Sequence, residues 1–88
     1  MYNVEFSKSA KKELKKKSAI PYFEKIKKLI EELEIHPKTG IGKPEQLKYE
    51  LTGCWSREIS QKDRMVYTID EDKGIVTIHQ LLGHYFDK

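Results

Sequence analysis

Three runs of β-forming residues, spaced by two short polar turns, fill the C-terminal part of this chain and dictate most of what it can fold into. Cys54-Trp55-Ser56-Arg57-Glu58-Ile59 alternates large apolar with polar residues, and Arg64-Met65-Val66-Tyr67-Thr68-Ile69 and Ile75 to Leu82 are richer still in β-formers. Ser60 to Asp63 and Asp70 to Gly74 each have the length of a hairpin loop. Such a meander must cover one face of its sheet with apolar surface from elsewhere, and the N-terminal half supplies it.

There Tyr22, Phe23, Ile26, Leu29, Ile30 and Leu33 recur at helical spacing, flanked by Lys27–Glu31 and Lys28–Glu32 four residues apart. Pro21 suits the first turn of this core helix, and Pro37 ends it near His36. Upstream, Tyr2 to Phe6 alternates as a short strand, and Ser7 or Ser9 offers an N-cap for a first helix running to about Lys17. Pro37 to Pro44 holds two glycines and two prolines and reads as a loop. The predicted order is β-α-α-β-β-β over a single domain spanning 1–88, an α+β fold with two N-terminal helices on a small, mainly antiparallel sheet.

The charge is uneven. Residues 1–36 carry nine lysines against six glutamates, whereas residues 37–88 carry eight charges of each sign, so the net +3 resides in the first part. Six lysines and one glutamate crowd between Lys8 and Lys17, where Lys11, Lys12, Lys15 and Lys16 form a cationic stripe suited to a phosphate backbone. No apolar run approaches the roughly 18 residues that a spanning helix needs, and the N-terminus lacks a secretory leader pattern, which points to a soluble, cytoplasmic protein. A lone cysteine, Cys54, allows neither an internal disulfide nor a thiolate zinc site, and no metal or other cofactor is expected; its bland reading is a small buried hydrophobe. His36 reads as a helix-end residue, His79 as a strand histidine, and Asp70-Glu71-Asp72 as a turn.

Polar residues that packing does not require mark the candidate site. His84-Tyr85 follows Gly83 just past the last strand, Glu45 follows the Gly/Pro loop, and Arg64 opens the middle strand of the meander. The start of that strand lies at the same edge as the end of the next, so Arg64 and His84 can meet, while spacing alone does not say whether Glu45 joins them.

Gly42-Lys43-Pro44-Glu45-Gln46-Leu47-Lys48, Leu51-Thr52-Gly53-Cys54-Trp55-Ser56-Arg57, Arg64-Met65-Val66-Tyr67 and Gly83-His84-Tyr85 stand in the order and spacing of the YoeB/Txe toxins. The chain resembles that family closely from Gly40 to Tyr85, about half its length. The resemblance implies a RelE-like fold and a metal-independent endoribonuclease that cuts mRNA in the ribosomal A site. It implies Glu45 as general base, His84 as general acid, Arg64 on the scissile phosphate, Tyr85 positioning substrate, and Lys48 and Arg57 as assisting cations. It further implies a YefM/Phd-type antitoxin, operator DNA reached only through the antitoxin complex, and a homodimer as one assembly. The residue types suit this chemistry in their own right, since metal-free RNA cleavage needs a base, an acid and cations for the phosphorane charge. Two alternatives share the fold: a ParE-like toxin that poisons its target without cutting RNA, and a DNA corepressor acting with its antitoxin. The chain departs from the family pattern at Glu58 and Leu82, where arginines are usual, and in continuing past Tyr85 with Phe86-Asp87-Lys88.

Overall fold

Ser7 Oγ accepts the Ala10 N–H at 3.2 Å, capping a first helix that turns the chain out of its opening strand. The computed structural model describes residues 1–83. Strand β1 (Asn3–Phe6) leads into helix α1 (Lys8–Leu14), a 3₁₀ stretch (Lys17–Tyr22) and helix α2 (Phe23–Ile35). Strands β2 (Glu45–Gln46), β3 (Cys54–Glu58), β4 (Arg64–Asp70) and β5 (Ile75–Gln80) follow, with a short 3₁₀ turn at Tyr49–Leu51. Among the described residues the strands form one sheet in the order β1-β5-β4-β3-β2, with β1 parallel to β5 and every other pair antiparallel.

The α+β expectation holds, with four local differences. The first helix stops at Leu14 instead of running to Lys17, and Pro21 lies inside the 3₁₀ stretch instead of opening α2. Lysines at 11 and 15 and at 12 and 16 would repel along an extended α1, and Pro21 disfavours α geometry at Ile20. Glu45–Gln46 is a strand, paired with Ser56 and Trp55. The last strand ends at Gln80, short of Leu82, because the Leu81 and Leu82 N–H groups turn from the sheet to the Glu13 carboxylate.

Period two separates the sheet into two faces. Met65, Tyr67, Val76 and Ile78 point to the helices and pack with Ala10, Ile26, Leu29 and Leu33 in one buried cluster. Each fully buried leucine of α2 contributes about 1.5–3 kcal/mol. Phe23, expected on the same stripe, is instead exposed, and lines an apolar groove of about 290 Å³ with Leu14, Ile26 and Ile30. Cys54 is half-buried and not a core residue.

The largest fully buried side chain is a charged one. Arg57, 0 % exposed, sits on the core face of β3. Its Nε donates to the Tyr67 hydroxyl at 3.1 Å, Nη1 to the Ile41 carbonyl at 3.1 Å, and Nη2 to the carbonyls of His36 and of Thr39, the latter at 2.7 Å. Tyr67 in turn donates to the Pro37 carbonyl at 2.6 Å, and Glu32 approaches Arg57 Nη1 at 3.9 Å. These bonds fasten the loop between α2 and β2 onto the sheet. Gly40 is required there, since its φ of +114° is left-handed and a Cβ would fall 1.4 Å from Glu32 Oε1.

Arg57→Lys keeps the charge but cannot serve the carbonyl set, so we expect a loss of about 2–4 kcal/mol, read as a lower urea midpoint at unchanged slope. Burial raises the Tyr67 hydroxyl above its ordinary value of 10.0, outweighing the opposing pull of Arg57. A raised native pKa means the protonated form is favoured on folding: this contribution is complete below pH 10 and declines as pH rises through the native value. Urea midpoints measured between roughly pH 8 and pH 11 should fall at the alkaline end for the wild type, and less steeply for Tyr67→Phe.

Candidate active site

The sheet face opposite the helices carries two of the candidate residues, Glu45 and Arg64. Glu45 is exposed on β2 and pairs with Ser56; Arg64 opens β4 and pairs with Glu58. Ser56 and Glu58 are two apart on β3, so Glu45, Glu58 and Arg64 share one face. With β3 between them, the backbones of β2 and β4 lie roughly 10 Å apart, within reach of a glutamate and an arginine converging on one phosphate. The fastened loop delivers the strand that carries Glu45: the Glu58 N–H donates to the Gly42 carbonyl at 2.6 Å, and Lys43 takes a φ of 51° immediately before Pro44-Glu45.

Arg64 is held by the turn that precedes it. Its Nη1 donates to the carbonyls of Ser60 at 2.6 Å, Asp63 at 3.2 Å and Gln61 at 3.3 Å. Nη2 lies 3.3 Å from Glu58 Oε2, and the side chain is 19 % exposed. The guanidinium is thus fixed through one nitrogen, while the other faces a carboxylate that a phosphate would have to displace. The Arg64 N–H donates to the Gly83 carbonyl at 3.0 Å. The expected meeting of the middle strand's start with the last strand's end therefore holds as far as Gly83. His84 and Tyr85 lie outside the described residues.

Lys11, Lys12, Lys15 and Lys16 are all exposed on α1 and the turn after it, as the stripe predicts. Lys48 is exposed at the far end of the β2 arm. Arg57 departs from expectation: its guanidinium is buried and bonded to loop carbonyls and Tyr67, so in this conformation it does not face RNA as an assisting cation. Sequence reasoning passed over Tyr49, which is 92 % exposed with a left-handed φ of 59° beside Lys48. A bulky residue rarely adopts that backbone, and the hydroxyl and N–H of Thr52 hold it there by donating to the Tyr49 carbonyl. His79 Nε2 pairs with Thr68 Oγ1 at 2.9 Å on the strand surface. Among the described residues no three His, Cys, Asp or Glu side chains gather to hold a metal ion, and no helix is long and apolar enough to cross a membrane.

A family model described as the YoeB-like toxin of bacterial type II toxin–antitoxin systems matches residues 9–85. The chain belongs to the YoeB-like toxin family. Toxin YoeB of Mycobacterium bovis is 44 % identical over 61 residues, covering 69 % of each chain. A YoeB/ParE toxin from Agrobacterium tumefaciens superposes with a TM-score of 0.85 at 30 % identity, over 94 % of this chain and 99 % of that one. YoeB of Staphylococcus aureus, solved in complex with YefM, gives a TM-score of 0.77 at 33 % identity over 97 % and 99 %. The S. aureus toxin has also been solved as a dimer. Within this YoeB-like chain the Glu58–Arg64 pair stands out, because it holds an anion against the candidate phosphate ligand.

Glu58→Gln should free Arg64 Nη2 and tighten binding of a short RNA blocked at the cleavage position by 2′-deoxy substitution. The expected gain, read by fluorescence anisotropy, is roughly two- to fivefold. Unchanged affinity would mean that Arg64 does not meet the backbone.

Proposed function

We propose that this chain is a ribosome-dependent endoribonuclease that cuts mRNA in the ribosomal A site and is neutralised by a YefM/Phd-type antitoxin. One observation carries the reading. A carboxylate and a guanidinium, Glu45 and Arg64, share the helix-free face of the sheet, and the residue that immediately precedes His84 is bonded to the Arg64 backbone.

In the proposed reaction Glu45 accepts the proton of a ribose 2′-OH, and the freed oxygen attacks the adjacent phosphorus. Arg64 offsets the charge that grows on the non-bridging oxygens. The bond to the 5′-oxygen breaks as His84 gives that oxygen a proton, leaving a 2′,3′-cyclic phosphate and a 5′-hydroxyl. No step requires a metal ion. Tyr85 positions the substrate, and Lys48 adds positive charge along the same arm as Glu45. Tyr49, bare beside Lys48, offers an aromatic face to an unpaired base, a contact worth about 1–3 kcal/mol. The lysines of α1 dock on ribosomal RNA, which places the protein in the cytoplasm.

The antitoxin reading is supported by the S. aureus toxin's complex with YefM and by the apolar groove beside Phe23, of the kind an amphipathic segment fills when it folds on binding. By the same likeness, operator DNA is reached only through the antitoxin complex, and the S. aureus dimer supports self-association.

Primer extension on a defined mRNA in a purified translation system tests the enzyme. Cuts at A-site codons should appear only with ribosomes and vanish in Glu45→Ala and His84→Ala. Cuts indifferent to both substitutions, or none at all, would favour a ParE-like toxin that poisons without cleaving RNA. Neutralising Lys11, Lys12, Lys15 and Lys16 together should weaken ribosome binding and flatten its dependence on salt; affinity unchanged across salt would end the docking role.

A further inference from the structure

Beyond Gln80 the chain leaves the β-ladder, yet its next three amides are all captured by carboxylates. The N–H groups of Leu81 and Leu82 both donate to Glu13 Oε1, at 2.6 and 3.2 Å. The Gly83 N–H donates to Asp63 Oδ1 at 2.7 Å. The Gly83 carbonyl closes the set, accepting from the Arg64 N–H and from Gln80 Nε2, each at 3.0 Å. Glu13 comes from α1, Asp63 from the turn before β4, Arg64 from β4 and Gln80 from β5, so four segments converge on three residues of backbone.

Burial alone does not call for this arrangement. The Leu81 side chain is already fully enclosed in the core, and Gly83 has no side chain to place. A negative charge on successive amides is a strong and directional restraint, and its effect is to fix where the chain stands at Gly83. The next residue in sequence is His84. A general acid works best when it is held within about 0.5 Å of its productive position, which calls for a fixed backbone leading into it. Asp63 belongs to the turn whose carbonyls hold Arg64 Nη1, so one turn sets both the phosphate ligand and the stem of the histidine. Glu13 stands among the lysines of α1, and thus links the surface assigned to ribosome docking with the same stem.

We propose that Glu13 and Asp63 are positioning residues for His84: their carboxylates clamp the Leu81–Gly83 backbone from which the chain enters the histidine. The inference rests on the reading of His84 as general acid given above.

Single-turnover cleavage on programmed ribosomes tests it, with Glu13→Ala, Glu13→Gln, Asp63→Ala, His84→Ala and the Glu13→Ala/His84→Ala double variant. Glu13→Ala should lower the maximal rate about tenfold or more without changing the toxin concentration for half-maximal rate. Glu13→Gln, which keeps an Oε1 acceptor, should recover most of that loss. Asp63→Ala, in a surface turn that leaves the core untouched, should lower the same rate and serves if Glu13→Ala does not fold. In the His84→Ala background Glu13→Ala should cost nothing further, since it acts through the histidine. Amide exchange should show Leu81 and Leu82 losing protection in Glu13→Ala while β4 and β5 keep theirs. An enzyme that needs His84 but tolerates Glu13→Ala and Asp63→Ala overturns this inference alone. An additional loss in the His84→Ala background overturns it in favour of a merely structural role. Cleavage indifferent to His84→Ala overturns the proposed acid, and this inference with it.

Discussion

The place of Glu45 on the open face of the sheet depends on a cation buried beneath it. Taking a guanidinium out of water is costly unless its donors are matched, and Arg57 is matched by carbonyls of His36, Thr39 and Ile41, by the Tyr67 hydroxyl and by the nearby Glu32. Carbonyls of a Gly/Pro loop have no ladder of their own, so the arginine and the loop satisfy each other. Tyr67 extends the same logic by donating to Pro37. With the loop fastened, the Gly42 carbonyl accepts from Glu58, and the chain enters β2 with Glu45 opposite Ser56. A slip of one residue there would turn Glu45 to the helix side.

The two faces of the sheet thus serve different ends. One packs Met65, Tyr67, Val76 and Ile78 against α1 and α2 and supplies the burial that holds the domain together. The other carries charge that packing does not use: Arg64 is steadied by the carbonyls of its own turn, and the Gly83 backbone by the Asp63 carboxylate and the Arg64 N–H. Steadying side chains in this way suits a surface whose ligand carries negative charge, because the orienting cost is met before the ligand arrives. Glu58 runs against that trend, and it sets this chain apart from the family pattern at a position facing the candidate phosphate ligand.

Much of the fold was legible because period and punctuation are local properties. The 3.6-residue stripe of α2, the three β runs and the two hairpin turns are all encoded within a few residues of where they form, and they appear close to their expected bounds. Boundaries were less legible where a distant group competes. The last strand ends early because Glu13, far away in sequence, claims the amides of Leu81 and Leu82. Phe23 sits on the apolar stripe by spacing, yet it is exposed and lines a groove with Leu14 and Ile30. The parallel pairing of β1 with β5, the place of β5 between β1 and β4 and the two-residue strand at Glu45 were also beyond reach of pattern, since pairing partners leave no local mark.

The candidate site divides in the same way. By itself the sequence determined which residue types are available, a carboxylate, a guanidinium and a histidine in a family-like order, and that the lysines of the first helix stay in water. Only the tertiary structure decided that Glu45 and Arg64 share one face, that Arg57 is an internal strut and not a surface cation, and that Glu13 and Asp63 hold the backbone of Leu81–Gly83. The physical reason is that the use of a charged side chain is set by the groups that meet it in space. An arginine surrounded by unpaired carbonyls is drawn inward, the same residue type beside a solvent-facing turn is not, and the spacing of residues along a chain carries no record of that difference.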